Sequence, residues 1–490
     1  MKKQIRNLII GLVIVAALVG VLLVVMNLPE QQEESSSTAS ASTTTIKLLE
    51  LTLDDIETIE VKNTEEYTLV REPNTDNEWI IEDLEGLPKI KNSYAMLALS
   101  MCSLSAQKVI AEDVTDLGQY GLAEPVSVVT AVMKDGSRHT IEIGNEAPGG
   151  NNYTYVKLPG ESTVYVVSTS DVSRMLQVRT DYISTDIFTL SDEGTPSVVN
   201  CTLGGTSRTS EIKIEVVDAQ TSSGDAYTGY SNYLITSPSK RDTNTTVFDE
   251  VSSSVFYTTV SEIVAYHVTD EQIAEYGLDE PYSTLQMTYM DGEETYHLDY
   301  RASEMQGDGS FYLMIDDVPV IYRATIGETE YGNNWHNIQY ATVASRLFIL
   351  PYINDLAAVT VETPDGSYRF ELTLVDAGTD DEKLNIHYEG KAITEDAFKK
   401  FYQVIIGPTS EQLVDPSEEL DLTSPLLTFT YEYTDSSKQP DVVSFYKGPV
   451  RQVYVAVNGE VEFTTRDAFI DKVYGDIPKV INNEEVITDW

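Results

Sequence analysis

Five histidines serve 490 residues, and no two of them stand at metal-ligand spacing. His139 and His297 fall on strand-like stretches with polar neighbours, and His267 precedes an acidic turn. His336 follows Trp335 in a Gly332-Asn333-Asn334 loop, and His387 sits in an alternating strand. The sequence carries no HExxH helix, no GxSxG nucleophile turn, no GxxxxGK[ST] phosphate loop and no GxGxxG helix opening. Gly307-Asp308-Gly309-Ser310 shares only composition with a glycine-rich loop and reads as a hairpin turn. Cys102 lies in an apolar helical pattern and Cys201 in a strand-like one. Two cysteines make no disulfide framework, and without CxxC spacing there is no structural zinc signature, so both read as free thiols. The densest acidic stretch is Asp376-Ala377-Gly378-Thr379-Asp380-Asp381-Glu382. It lacks the register of an EF-hand loop and reads as a solvated turn, with weak binding of extracellular calcium as the alternative. These residues designate no catalytic group and no cofactor, so the chain reads as a non-enzyme.

The elements around them follow a recurring template. Tyr120-Gly121-Leu122-Ala123-Glu124-Pro125 is echoed by Tyr276-Gly277-Leu278-Asp279-Glu280-Pro281, and a degenerate copy reads Leu422-Thr423-Ser424-Pro425. An aromatic-led strand follows each proline at nearly constant distance: Tyr155-Val156, Tyr312-Leu313 and Tyr454-Val455. The corner has a structural explanation residue by residue. Gly121 and Gly277 supply a positive φ that ends a helical turn. Leu122 and Leu278 pack back onto that turn, and Pro125 and Pro281 fix φ at the entry to the next strand. Upstream of each corner, period-two alternation predicts strands: Ile59-Glu60-Val61, then Glu211-Ile212-Lys213-Ile214-Glu215-Val216, then Tyr368-Arg369-Phe370-Glu371-Leu372 beside Pro364-Asp365-Gly366. Apolar stripes at three- and four-residue spacing predict one helix per copy: Tyr94, Leu97, Met101 and Leu104; Val247, Val251 and Val255; Phe398, Phe401, Tyr402 and Ile405 after a Thr394 cap. Downstream come hairpins at Asp135-Gly136, Asp291-Gly292 and Asn458-Gly459, then short helices capped by Ser170 and Thr465. The predicted fold class is α+β: three tandem copies of one domain, residues 47–190, 191–345 and 346–490, each an antiparallel sheet with one or two helices packed on it.

The N-terminus sets the expected location. Residues 8–28 are uncharged and apolar, preceded by Lys2, Lys3 and Arg6 and followed by Glu30, Glu33 and Glu34. That length spans a bilayer core, and the charge bias holds residues 1–7 in the cytoplasm. No small-residue cleavage site closes the stretch, which distinguishes it from a signal peptide. Residues 29–46, rich in Ser, Thr and Glu, read as a flexible stalk. The expectation is a single-pass cell-membrane protein with its domains extracytoplasmic. With 79 acidic against 32 basic residues and a net charge of −47, nucleic acid is excluded as a partner, because its binding rests on cations that neutralise phosphates.

The corners, together with Ile141-Glu142-Ile143-Gly144, Tyr155-Val156 and Val164-Tyr165-Val166-Val167, resemble a bacterial membrane-anchored family of unknown function. The resemblance is closest over residues 47–190. It is looser over 191–345, where Leu298-Asp299-Tyr300 stands for the Ile-x-Ile-Gly step, and loosest in the last third. It implies an extracytoplasmic protein often encoded beside an ABC transporter with a gliding-motility-type subunit, and carries no catalytic residue with it. The function expected is therefore a structural or interaction protein, accessory to an ABC-type transport complex. The alternative is a glycan or cell-wall binding protein or hydrolase, on the strength of 30 tyrosines that could stack on sugars.

Overall fold

The computed structural model describes residues 46–489 apart from 73–77, 151, 189, 192–195, 218–230, 380, 416 and 418. These form two compact units, 46–66 with 96–176 and 67–95 with 177–489.

In the first unit, β1 (Ile46–Glu50) pairs antiparallel with β5 (Ser103–Ala106) as a separate two-stranded sheet. The main ladder orders β2 (Ile56–Lys62), β7 (Ser127–Met133), β8 (Arg138–Glu146), β9 (Tyr153–Lys157), β10 (Val164–Ser168) and β6 (Lys108–Ala111) side by side, all antiparallel. The second unit holds the hairpin β3 (Glu66–Arg71) with β4 (Trp79–Ile81), and two large sheets.

The first large sheet has the order β14-β13-β12-β11-β16-β17-β18-β19-β15. Its centre is β11 (Ser197–Gly204) beside β16 (Ser283–Asp291), with β12 (Ile212–Val216), β13 (Tyr233–Ser237) and β14 (Arg241–Asp242) on one side. On the other side lie β17 (Glu294–Ala302), β18 (Phe311–Ile315), β19 (Val320–Ile326) and β15 (Thr258–Tyr266). The second has the order β23-β22-β21-β20-β24-β25-β26-β27. It is built from β20 (Leu356–Thr363), β21 (Gly366–Val375), β22 (Lys383–Tyr388), β23 (Lys391–Ile393), β24 (Leu427–Tyr433), β25 (Asp441–Lys447), β26 (Gln452–Val457) and β27 (Glu460–Arg466).

One pairing recurs at the centre. Val61 faces Val129, Leu203 faces Leu285 and Val361 faces Phe429, and each second residue lies four positions after a corner proline. All six are buried. A bulge interrupts the ladder at the same place each time, between Ile56 and Thr58, Val198 and Asn200, and Leu356 and Ala358. Such a bulge bends the strand and raises its twist.

The helices are α1 (Ser93–Cys102), α2 (Thr169–Val172), α3 (Thr245–Phe256), α4 (Asp270–Glu275), α5 (Tyr340–Val343), α6 (Glu395–Ile406) and α7 (Ala468–Ile481). Phe248, Val251 and Val255 of α3, and Phe398, Phe401, Tyr402 and Ile405 of α6, are buried. Ser170 lies inside α2 rather than capping it, and Thr465 belongs to β27, with α7 starting after Asp467. The period-two run at 460–466 outweighs the capping signal there. Asn458 and Gly459 have φ of 52° and 94°, the double-positive pattern of a two-residue I′ turn.

Two expectations are corrected. The described residues are mostly strand, arranged in four sheets, rather than one sheet with helices in each of three domains. β-branched and tyrosine-rich alternation carries most of the chain into ladders, and several helical patterns shrink to single turns such as Thr169–Val172. Moreover, no helix among the described residues is long and apolar enough to cross a membrane. The longest, α7, has 14 residues, about 21 Å at 1.5 Å per residue, short of the ~30 Å of a bilayer core. The single-pass localisation, the transmembrane helix and the membrane as a partner are withdrawn on that finding; residues 1–7, 8–28 and 29–45 lie outside the described residues.

Both glycine corners close identically. Gly121 N–H donates to Gly118 O and Leu122 N–H to Leu117 O, while Gly277 N–H donates to Ala274 O and Leu278 N–H to Ile273 O. This is the paired 5→2 and 6→1 pattern of a Schellman cap, and both glycines have φ of 69°. A Cβ on Gly277 would find nothing nearer than Ser303 Cβ at 3.9 Å, whereas one on Gly144 would lie 2.2 Å from the Tyr120 carbonyl oxygen. Gly277→Ala is therefore expected to cost about 1 kcal/mol, the strain of a left-handed backbone alone. Gly144→Ala, which must displace main chain, should cost more, about 1–3 kcal/mol. Urea unfolding followed by amide exchange at each site measures both; equal costs would contradict the close contact.

Candidate functional site

The corner residues come to rest as packing groups. Leu122 and Leu278 are buried, Leu278 in a cluster with Met314 and Ile321. Tyr120 meets Tyr155 edge-on at 5.0 Å, and Tyr276 meets Tyr312 in the same way at 4.6 Å. Pro125 and Pro281 are half-buried, while Pro425 is exposed. Before Pro425, an Asp421 carboxylate accepts from Thr423 N–H at 3.1 Å and from its hydroxyl at 2.6 Å, an Asx turn in place of the glycine cap.

The histidines are not brought together. His139 is half-buried on β8 and His387 exposed on β22. His297 Nδ1 is 3.0 Å from Thr288 Oγ1, and His267 Nε2 is 2.5 Å from Asp83 O. No group of three His, Cys, Asp or Glu side chains among the described residues could hold a metal. Cys102 and Cys201 are free thiols. Burial raises the pKa of both, that of Cys201 to about 12, so neither is a ready thiolate. In the acidic loop, Glu382 accepts from Gly378 N–H at 2.8 Å and from Asn354 at 3.0 Å.

His336 is the exception that sequence did not reveal. It is buried beside Trp335, stacked on Tyr282 at 5.0 Å, with Nε2 2.8 Å from Ser303 O. Next to it lies the buried Arg208, held by neutral acceptors. Its guanidinium donates to Ile338 O at 3.0 Å, Trp335 O at 2.7 Å, Gly204 O at 2.5 Å, Ser207 Oγ at 3.2 Å and Ser283 Oγ at 2.9 Å. Burial pushes the Arg208 pKa down to about 10, still far above neutrality. Burial, and then the Arg208 charge, hold the His336 imidazole below its ordinary 6.5 against the opposing Ser303 bond. The cluster therefore staples the 335–338 loop to the corner strand.

A cleft lies elsewhere, where β14 meets β27. It encloses about 360 Å³ and is walled by Phe348, Val455, Val457, Val461 and Phe463, with Ser239, Lys240, Arg241, Glu460 and Glu462 at its polar side. Glu462 organises it. Ser239 Oγ donates to Glu462 Oε1 at 2.5 Å and lies 2.8 Å from the Tyr340 hydroxyl, which donates to the same carboxylate oxygen. Arg241 Nε stands 3.5 Å from Glu462 Oε2, and its guanidinium lies 4.7 Å over the Phe463 ring. Burial and the Glu462 charge raise the Tyr340 pKa far above neutrality, so the phenol stays a hydrogen-bond donor. A serine and a phenol thus donate to one oxygen of the carboxylate, and an arginine stands beside the other. The arrangement works as a clamp between the two sheets.

A second cleft, about 370 Å³, lies between the β20–β21 hairpin and α7 and contains Tyr368, Tyr474 and Asp365.

Comparison with known families touches part of the chain. Residues 79–281 match the domain of unknown function DUF4340. No curated protein and no solved structure matches the sequence. A DUF4340 domain accords with an uncharacterised bacterial family, the coarser part of the resemblance. The DUF4340 region starts at β4 and ends on Pro281 of the second corner. It includes Arg208 and Arg241 but neither His336 nor Glu462.

Sequence reasoning missed Arg208, Arg241 and Glu462. The only available signal was the rarity of basic residues, 32 against 79 acidic, which makes each buried arginine conspicuous. Glu462→Gln is expected to lower stability by about 2 kcal/mol, since hydrogen bonds to a charged group contribute roughly 1.5–3 kcal/mol. Tyr340→Phe should cost less, about 1 kcal/mol. Thermal melts at two salt concentrations check both, with little salt sensitivity expected because Arg241 is buried.

Protonation of His336 gives a pH dependence with a definite sign. The folded protein holds this imidazole below its unfolded value, so the unfolded chain binds the proton more readily. The contribution is complete above about pH 6.5 and is lost as pH falls below it, by up to about 1.4 kcal/mol per pH unit. His336→Gln, which keeps a donor for Ser303 O, should flatten the stability profile between about pH 6.5 and 5; an unchanged slope would remove His336 as its source.

Proposed function

We propose that this chain is a non-catalytic interaction protein made of three copies of one sheet domain, residues 47–190, 191–345 and 346–490. The observation that carries the reading is the recurrent centre of the sheets. The order β2-β7-β8-β9-β10-β6 in the first unit has the same chain logic as β11-β16-β17-β18-β19-β15. β20-β24-β25-β26-β27 repeats it without a regular last strand. In that last place the main chain of 411–414 still bonds β27, through Glu411 N–H to Thr464 O, Thr464 N–H to Gln412 O and Val414 N–H to Glu462 O. Shared bulge positions and two identical Schellman corners support the same reading. Independent copies would not be expected to agree in topology, bulge and cap together.

A non-catalytic role is supported by the chemistry of the β14–β27 cleft, where the polar side chains are used to join the second and third copies. A protein of this kind acts through its surface. The family resemblance points to subunits of an ABC-type transporter as the partner class, and the acidic surface favours partners with basic faces. The second reading, glycan binding, draws on Tyr368 and Tyr474, which offer stacking planes beside a single carboxylate, Asp365. Hydrolysis of a glycoside normally employs two.

Affinity capture of the tagged full chain from its own cells, identified by mass spectrometry, tests the partner class. Recovery of transporter subunits, lost at high salt, is the expected result. Binding to cell-wall glycan with release of reducing ends would overturn it.

A further inference from the structure

The cleft beside α7 differs from the others in charge. Its rings, Tyr368 and Tyr474, are accompanied by Asp365 and by no lysine or arginine, whereas the β14–β27 cleft contains Lys240 and Arg241. The basic side chains of α7 are committed elsewhere. Lys472 and Lys479 both bond the buried Asp476, Lys479 at 2.8 Å. Asp471 stands one turn before Tyr474, and the charges of Asp365 and Asp471 both raise the Tyr474 pKa, after burial.

Pro478 sits inside α7 and lines the same cleft. Tyr474 itself is pinned, because its hydroxyl donates to Leu426 O. The cleft thus offers two aromatic rings and carboxylate charge in about 370 Å³, within the size range of ligand pockets. Aromatic faces and carboxylates both attract cations, and a protein of net charge −47 draws them in from solution. A neutral sugar would gain stacking but little from the charge.

We propose that the cleft between the β20–β21 hairpin and α7 is a binding site for an organic cation, an alkylammonium group carried by a lysine side chain or by a free polyamine. Tyr368 and Tyr474 flank the ammonium, and Asp365 supplies the counter-charge. The site stands independently of the threefold repeat and of the partner class proposed above.

Titration calorimetry of the full chain at low salt tests it, with N-acetyl-lysinamide, spermidine, n-butanol and methyl glucoside as probes. At least one cation is expected to bind at one site, and about tenfold or more tighter than n-butanol or methyl glucoside. The tighter of the two cations names the source. Tyr368→Leu and Asp365→Asn should each weaken the cation by about three- to thirtyfold. Asp381→Asn, in a separate exposed loop, should change nothing. The proposal is overturned if the neutral probes bind as tightly. It is equally overturned if neither cation binds at a single site, or if both cleft variants keep wild-type affinity, which would mark general attraction to an acidic surface.

Discussion

Each sheet depends on one long-range pairing, between a segment's first strand and the strand that leaves the corner. Val61 must find Val129, Leu203 must find Leu285, and Val361 must find Phe429. Closing loops of this length carries an entropy cost before any contact compensates it. The corner reduces the number of ways to go wrong. A Schellman cap fixes the direction in which the chain leaves the helical turn, and the proline two residues before the paired strand fixes its entry. Once that pair is in register, both faces of the sheet are decided, since a one-residue slip would turn every buried side chain outward.

The two corner motifs of the first unit are one contact seen from both sides. Gly144 closes the Ile-x-Ile-Gly step, and a Cβ there would strike the Tyr120 carbonyl oxygen and the Leu122 side chain. In the next sheet, Ser127↔Ile143 corresponds to Ser283↔Ala302, so the residue in the place of Gly144 is Ser303. The step is therefore Tyr300-Arg301-Ala302-Ser303, rather than the Leu298-Asp299-Tyr300 that linear alignment suggests. The hairpin of the second sheet is longer, with nine residues in each strand, and that extension shifts the alignment. Ser303 is then free to join His336, through its carbonyl, to the Arg208 staple.

Sheet edges are protected by different local devices. β15 carries two bulges, between Val260 and Glu262 and between Ile263 and Ala265, which twist an edge away from further pairing. β23 is only three residues long, and its neighbourhood is held by Asn483, which accepts from Thr394 N–H at 2.6 Å, and by Lys391, which donates to Ile481 O at 2.7 Å. The β14 edge meets β27 through Arg241 and Glu462. Polar side chains thus hold the edges and junctions of these sheets.

Features that act over a few residues are legible in the chain. The turns at Asn458-Gly459 and Asp135-Gly136, the positive φ of Gly121 and Gly277, the period-two strands and the apolar face of α6 follow from local sterics and burial; in α3 the expected Val247 is half-buried and Phe248 takes its place in the core. Which strands pair and which charges meet is settled in the folded chain. Glu462 is one of 79 acidic residues and lies more than 200 positions from Arg241, so nothing local distinguishes it. His336 read as a loop residue because its neighbours are Gly and Asn; its burial comes from Tyr282 and Phe311, which the fold delivers from other strands. The physical reason is the same in each case. Local sterics are written in neighbouring residues, whereas desolvation and partner choice exist only after distant strands have come together.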